Sequence, residues 1–512
     1  MTQKPLKGNR MAIKPNTESY ERDRLIEESG FREYDARWLF PEQLNLRGIQ
    51  ALGMSIGTIM HERGITPPTI AVGHDYRSYS ASIKNALIVG LMAAGCQVRD
   101  IGLALSPVAY FAQFELDCPA VAMVTASHNE NGWTGVKMGI DRPLTFGPDE
   151  MSRLKEIVKT ESYQLQAGGS YEYIGDMKQR YIADLTKDGK ISRKLKAVVA
   201  CGNGTAGAYA PEALRAIGVD VVEMDCELDY TFPHYNPNPE DLEMLHALSK
   251  KVIETGADIG LGFDGDGDRC GVVDNTGEEI FADKMGVILA RDLAKQYDKP
   301  CFVVDVKSTG LYHSDPVLKE LGAKTDYWKT GHSYMKRRVN EIGALVGFEK
   351  SGHYFFNQPL GRGYDDGVLT AVTICRLMDR NADQSISDLK NDLPKTWGTP
   401  TMSPFCPDDK KYGVVDDAIK YYQSIKESDQ TLMGQKIVDL VTVNGVRFTL
   451  EDGTWGLIRA SSNKPSLVVV VESPASEDQM FNMFELIDSM LTTKFPEVGE
   501  YDQKISRTSK AA

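Results

Sequence analysis

The chain has 512 residues, 58 of them basic and 72 acidic, for a formal net charge of −14. That balance excludes a duplex nucleic-acid binder, which needs a concentrated excess of Lys and Arg to displace counterions from phosphates. Hydrophobic residues at 42% and charged residues at 25% are those of an ordinary globular chain, long enough for roughly three to four domains.

The eight cysteines stand singly with no CxxC pair, so neither a zinc site nor a disulfide framework is expected. No run approaches the ~18 apolar residues of a membrane span, and the first 24 residues lack a signal-peptide core. A reduced cytoplasmic protein with no membrane or nucleic-acid partner is the expectation. Residues 1–24 are polar and are expected to form a flexible extension.

In chain order, a β-branched run at 69–72 meets the turn Gly73-His74-Asp75, and 80–94 then carries Ile83, Leu87 and Leu91 at helical spacing. Strands at 98–101 and 120–125 flank a helix over 107–116. This βαβαβ pattern predicts a mostly parallel sheet. The alternation restarts at 195–200 and at 301–306. Beyond about residue 400 the strands become closely spaced, at 440–443, 446–450 and 467–471, before an amphipathic helix over 477–493. The fold class expected is α/β, with three related units at 25–172, 173–278 and 279–395. A C-terminal α+β domain at 396–512 would complete a central cleft, where ligand sites tend to form.

Two motifs suggest other chemistry. Gly53-Met54-Ser55-Ile56-Gly57 fits a nucleophile elbow, but Ile49, Leu52, Ile56 and Ile59 run through it at helical spacing, which makes Ser55 a helix residue. Gly202-Asn203-Gly204-Thr205-Ala206-Gly207 is a literal GxGxxG with Asp225 beyond the next strand. A tight strand-to-helix turn is the preferred reading, and the motif keeps open an NAD-dependent oxidoreductase as the alternative function.

Four segments carry the main reading. In Asp264-Gly265-Asp266-Gly267-Asp268-Arg269, three carboxylates alternate with glycines and can turn their oxygens to one hard cation. Positions six and twelve from Asp264 hold Arg269 and Asn275, so the loop is not an EF-hand. Thr125-Ala126-Ser127-His128-Asn129 follows a strand and sets Ser127 where parallel sheets bind ligands, or as a helix N-cap. Adjacent side chains diverge, so His128 is not expected to serve Ser127 as a base. Phe348-Glu349-Lys350-Ser351-Gly352-His353 offers groups for vicinal hydroxyls, or a salt-bridged turn. Arg459-Ala460-Ser461-Ser462-Asn463-Lys464 is an anion cradle or a polar turn.

With these segments in this order, from about Phe31 onward, the chain resembles the α-D-phosphohexomutase family, within it the bacterial phosphomannomutase/phosphoglucomutase enzymes. The resemblance implies three related α/β domains, an α+β domain and a mutase that interconverts hexose 1-phosphates and 6-phosphates of mannose, glucose or both. It implies that Ser127 carries a phosphoryl group and that Asp264, Asp266 and Asp268, with a phosphoserine oxygen, hold Mg²⁺. It casts Arg269 as a phosphate neutraliser and Lys137, His128 and His332 as candidates for proton transfer. Glu349, Ser351 and His353 would read sugar hydroxyls, Arg459, Ser461, Ser462 and Asn463 would cradle the idle phosphate, and Tyr34, Arg37 and Lys307 would line the cleft. Phosphosugars are the implied partners, with a trace of hexose 1,6-bisphosphate as activator. Trp38, Glu130, Phe348 and Asn463-Lys464 depart from the family's usual residues. A sugar-phosphate binding protein without catalysis is the remaining rival.

Overall fold

The computed structural model describes residues 14–462 and 464–507. The first sheet contains β1 (Ala36–Leu39), β2 (Thr69–His74), β3 (Gln97–Leu103), β4 (Ala120–Val124), β5 (Trp133–Gly139) and β6 (Ser170–Tyr173), ordered β1-β5-β4-β2-β3-β6. Its parallel strands β4, β2, β3 and β6 are joined by crossover helices such as Ser80–Ala93 and Ser106–Glu115, as the alternation predicts. All five side chains of β4 are buried, as expected where helices cover both faces.

The second sheet holds β7 (Lys196–Ala200), β8 (Asp220–Met224), β9 (Ile259–Phe263), β10 (Cys270–Asp274) and β11 (Glu279–Ile280), in the order β11-β10-β9-β7-β8. It therefore continues past residue 278. The third holds β12 (Cys301–Asp305), β13 (Lys324–Trp328), β14 (Val346–Phe348), β15 (Tyr354–Phe356) and β16 (Tyr364–Asp365), ordered β13-β12-β14-β15-β16. The fourth is wholly antiparallel: β17 (Trp397–Gly398), β18 (Ile437–Val441), β19 (Val446–Leu450), β20 (Trp455–Ala460) and β21 (Leu467–Ser473), ordered β17-β21-β20-β19-β18.

The expectation of mostly parallel sheets misses one recurring feature. In each α/β unit one end of the sheet runs antiparallel, starting from the pair β4–β5, β9–β10 or β14–β15 and continuing to an edge strand β1, β11 or β16. The turn of that pair carries the chemical segment: 125–132, 264–269 and 349–353. In the fourth unit the β20–β21 pair does the same with 461–466. A short turn between hydrogen-bonded strands holds polar side chains at a defined place on the sheet end.

One apolar cluster runs through all four units, from Ala71 and Phe111 through Phe263 and Phe348 to Trp455 and Val470, so the units share a core. Polar contacts tie the loops across it. Ser106 N–H donates to Asp266 O, Cys270 N–H to Gly352 O and Gly367 N–H to Gly267 O.

Three expectations need correction. Residues 17–24 are packed, with Thr17 capping the helix Glu18–Arg22 and the buried Tyr20 hydroxyl donating to Pro41 O and Leu44 O. Asn45 ties the same segment by donating to Tyr20 O and Asp23 O. The GxGxxG loop leads into a short 3-10 turn, Thr205–Ala208, and its backbone groups are engaged: Thr205 N–H donates to Gly265 O. A Cβ on Gly207 would land on Cys226 O, and Asp225 is occupied by Tyr235 and His234, so no nucleotide cradle exists there. The third concerns His128 and follows below. Ser55, as expected, lies inside the helix Leu46–Glu62, donating to Ala51 O. Among the described residues no helix is long and apolar enough to cross a membrane.

Candidate active site

Ser127 has φ of 50°, in the left-handed region. Side chains of neighbouring residues diverge in extended backbone, but this conformation turns Ser127 and His128 toward each other. Ser127 Oγ lies 3.2 Å from His128 Nδ1 and 3.0 Å from Asp264 Oδ2. The expectation that His128 points away from the serine is thus overturned.

The strain at Ser127 is held by a clamp that sequence reading did not single out. Arg77, buried, donates from Nη2 to Ser127 O and Asn129 O and from Nη1 to Glu130 O. Asp75 accepts from Arg77, from Ser80 Oγ and from Ala126 N–H. Three carbonyls on one guanidinium define the loop's path, the geometry for which Arg is suited. Asp75 directly follows β2 at the carboxyl end of a parallel strand, a position that marks it by the same rule as Ser127.

Asp264, Asp266 and Asp268 sit in the β9–β10 turn, buried, with one oxygen of each within 4.8 Å of the others. Asp266 Oδ2 accepts from Ser106 Oγ, Thr125 Oγ1 and Lys137 Nζ, and Lys137 also reaches Asp268. Burial and the two like charges push Asp264 well above the usual carboxylate range. Burial is the largest influence and acts to raise Asp266 and Asp268, but Lys137 together with the Ser106 hydroxyl at Asp266 and Arg269 at Asp268 leaves both below the usual range. Asp266 Oδ1 and Asp268 Oδ1 are buried with no hydrogen-bond partner, and hard carboxylate oxygens in a cluster fit a divalent cation such as Mg²⁺. Gly265 keeps this turn against the serine loop: a Cβ there would lie 2.6 Å from Ser127 O.

Arg269 is pinned on three sides, donating to His128 Nδ1 at 2.9 Å, His353 Nε2 at 3.0 Å and Glu240 Oε2 at 3.1 Å. His128 is half-buried, and its desolvation together with Arg269 and Arg37 takes its pKa well below the ordinary value. Accepting from Arg269 at Nδ1, it is a neutral ring. Asn236, in the long connection after β8, donates to His128 O and braces the loop from the second unit.

Across the cleft, Glu349 Oε1 accepts Gly331 N–H and its Oε2 lies 3.4 Å from Ser351 Oγ. His332 packs edge-on to Tyr34 with centroids 4.9 Å apart. Arg37 is held by Asp35 and Asn129, and Lys307 Nζ is 3.8 Å from Asp305. Arg459, buried at the end of β20, reaches Ser462 at 3.4 Å, while its Nε has no partner among the described residues. Ser461 Oγ accepts Lys464 N–H. Asn463 lies outside the described residues. Of the departures from the family pattern, Phe348 is a core residue against Phe302, Tyr312 and Tyr354, and Trp38 is buried, donating to Glu27 O.

Models of the phosphoglucomutase/phosphomannomutase family match three stretches in succession. Alpha/beta/alpha domain I covers residues 28–165, domain II 172–277 and domain III 281–397. The chain belongs to this family. A phosphomannomutase/phosphoglucomutase of Pseudomonas putida is 34% identical over 453 residues, covering 88% of this chain and 93% of the relative. A phosphoglucomutase of Neisseria meningitidis serogroup B is 30% identical, covering 89% and 96%. A crystal structure of a phosphoglucomutase/phosphomannomutase family protein from Burkholderia thailandensis superposes with a TM-score of 0.83 at 29% identity, covering 93% of this chain and 99% of that one. Three of the four loop segments meet directly, through Ser127–Asp264 and Arg269–His353.

Proposed function

We propose that Ser127 carries the phosphoryl group by which this chain interconverts the 1-phosphate and 6-phosphate of mannose, glucose or both, through a hexose 1,6-bisphosphate. The chain is a hexose-phosphate mutase, an intramolecular phosphotransferase, by its family and its curated relatives. The observation that carries the finer reading is Ser127 Oγ, strained toward the three-carboxylate turn at 3.0 Å from Asp264. An N-cap serine would not need that clamp.

Asp264, Asp266 and Asp268 would hold Mg²⁺, which when bound offsets charge on the transferring phosphoryl group. The chain's own groups do the rest. Arg269, fixed by His128, His353 and Glu240, faces the phosphoryl oxygens and stabilises the charge that spreads over them. Lys137 balances the carboxylates. Arg459, Ser461, Ser462 and Asn463 cradle the phosphate that is not reacting, with Lys307 and Arg37 lining the approach. Glu349, Ser351 and His353 read hydroxyls in both orientations of the bisphosphate as it turns over. Tyr34 and His332 close the sugar face, and the enclosure keeps water from the phosphoserine. Phosphosugars are the partners, and the eight free cysteines suit a cytoplasmic location.

The test is phosphorus NMR of the protein with Mg²⁺ and a trace of glucose 1,6-bisphosphate, run separately on mannose 1-phosphate and glucose 1-phosphate. A 6-phosphate signal in either tube, absent with Ser127→Ala, is the expected result, and the relative rates assign the sugar. Turnover retained by Ser127→Ala overturns the covalent step.

A further inference from the structure

The third unit contains a buried cation with no part in the reaction as written above. Lys336 lies one turn after His332 on the helix His332–Ile342 and is 0% exposed. Its Nζ is 2.9 Å from Asp365 Oδ1, 3.8 Å from the centroid of the Tyr110 ring and 3.4 Å from His332 Nδ1.

The charge states follow from the donors. His353 Nε2 accepts from Arg269 Nε, and a guanidinium has nothing to accept with. The His353 proton is therefore on Nδ1, 3.0 Å from Asp365 Oδ2, and that ring is neutral. The counter-charge to Asp365 is then Lys336. Burial pulls the Lys336 pKa below its ordinary value while Asp365 opposes the shift, and both the carboxylate and the Tyr110 face favour the ammonium.

An ammonium has three donors and no acceptor. Its contact with His332 Nδ1 thus requires the lone pair there, and the proton of the neutral imidazole falls on Nε2. Burial, with the Lys336, Lys137 and Arg37 cations, takes the His332 pKa well below the ordinary value, so the ring is neutral. His332 Nε2 is buried and has no hydrogen-bond partner among the described residues.

We propose that Lys336 is a positioning residue that locks His332 as the Nε2–H tautomer, so that His332 meets the sugar phosphate as a hydrogen-bond donor and does not take the proton of the attacking hydroxyl. This rests on the reading that His332 faces the sugar.

The first test needs no substrate, so it stands or falls apart from the mutase reading. In full-length protein labelled with ¹⁵N-histidine, with His332 assigned from the spectrum of His332→Asn, long-range proton–nitrogen correlations report which nitrogen carries hydrogen. Protonated Nε2 and bare Nδ1, unchanged from pH 6 to pH 8, is expected. Protonated Nδ1 overturns the proposal. The second test compares turnover of His332→Gln, whose amide offers a donor near Nε2, with His332→Ala. Retention of at least roughly tenfold more activity by the Gln variant is expected, the worth of one hydrogen bond; equal loss overturns the donor role. Lys336→Met should lower wild-type turnover roughly tenfold and give mixed tautomers, with no further loss in the His332→Ala background. Where that variant does not fold, Lys336→Met with Asp365→Leu removes both charges together.

Discussion

Arg77 shows how a residue outside the proposed reacting groups sets the direction of Ser127. Its guanidinium holds three carbonyls of the serine loop and so maintains the left-handed backbone that points Ser127 Oγ at Asp264. Arg77→Met should lower kcat about 100-fold, as misplacement of a reacting group does. KM should change far less, because the phosphate cradle and sugar loop lie on other units. Steady-state kinetics on the folded variant checks this. Asp366 gives a pH prediction. It caps the helix Gly367–Arg380, accepts from Tyr181 and is raised from 3.8 to about 7 by burial. With the folded pKa above the unfolded one, the native state binds more protons across that window, so stability falls as pH rises from about 4 to 7. Asp366→Asn keeps the cap and loses the titration. It should be more stable than wild type above pH 7 by roughly 2–4 kcal/mol, a gap that closes toward pH 4 in urea titrations.

At the scale of elements, the hairpin turn is the recurring device. The β9–β10 turn brings three carboxylates together only because Gly265 lets its backbone pass Ser127 O. Gly265→Ala should push the two loops apart and reduce turnover and metal affinity together, read by kinetics and Mg²⁺ titration. Asp266→Asn, by contrast, removes charge without moving the backbone. It should weaken the metal response and the rate while leaving melting near the wild-type value, since Lys137 then has Asp268 alone to satisfy. Alternation of helix and strand announced the α/β units, but the antiparallel partner was less legible. β5 follows the serine loop directly with no crossover helix, and Asn131-Gly132, the turn dipeptide just before it, was the local signal that sequence reading did not single out.

At the scale of the molecule, Glu472 joins the fourth unit to the third. It accepts from Lys284, Thr309, Thr396, Gly310 N–H and Trp455 Nε1, and Arg447 next to it donates to Val306 O and Ser308 O. Burial works against its charge, yet Lys284 and the surrounding donors hold Glu472 well below the usual carboxylate range. A depressed folded pKa contributes stability at neutral pH that is lost as acid is added. Glu472→Gln leaves Lys284 uncompensated and turns an amide N–H toward donors. It should cost about 3–5 kcal/mol and raise KM, because β20 carries both Trp455 and Arg459.

The groups proposed to react were legible as candidates in the sequence because each is a cluster within a few residues: the three aspartates, the serine segment, the glutamate-serine-histidine segment and the arginine cradle. Local spacing was enough to propose their chemistry. What lay beyond it was every residue whose role depends on a partner far along the chain. Asp75 and Arg77 act on residues about fifty positions away, Asn236 on His128, and Lys336 on Asp365. The direction of His128 was misread because it turns on one backbone angle at Ser127, which only the Arg77 clamp imposes. Sequence by itself determined the α/β units and picked out the segments proposed to react, since periodicity and short motifs are local properties. The tertiary structure alone decided which loops meet, which charges are paired and which ring nitrogen holds its proton, because those follow from burial and contact between segments that the chain order keeps apart.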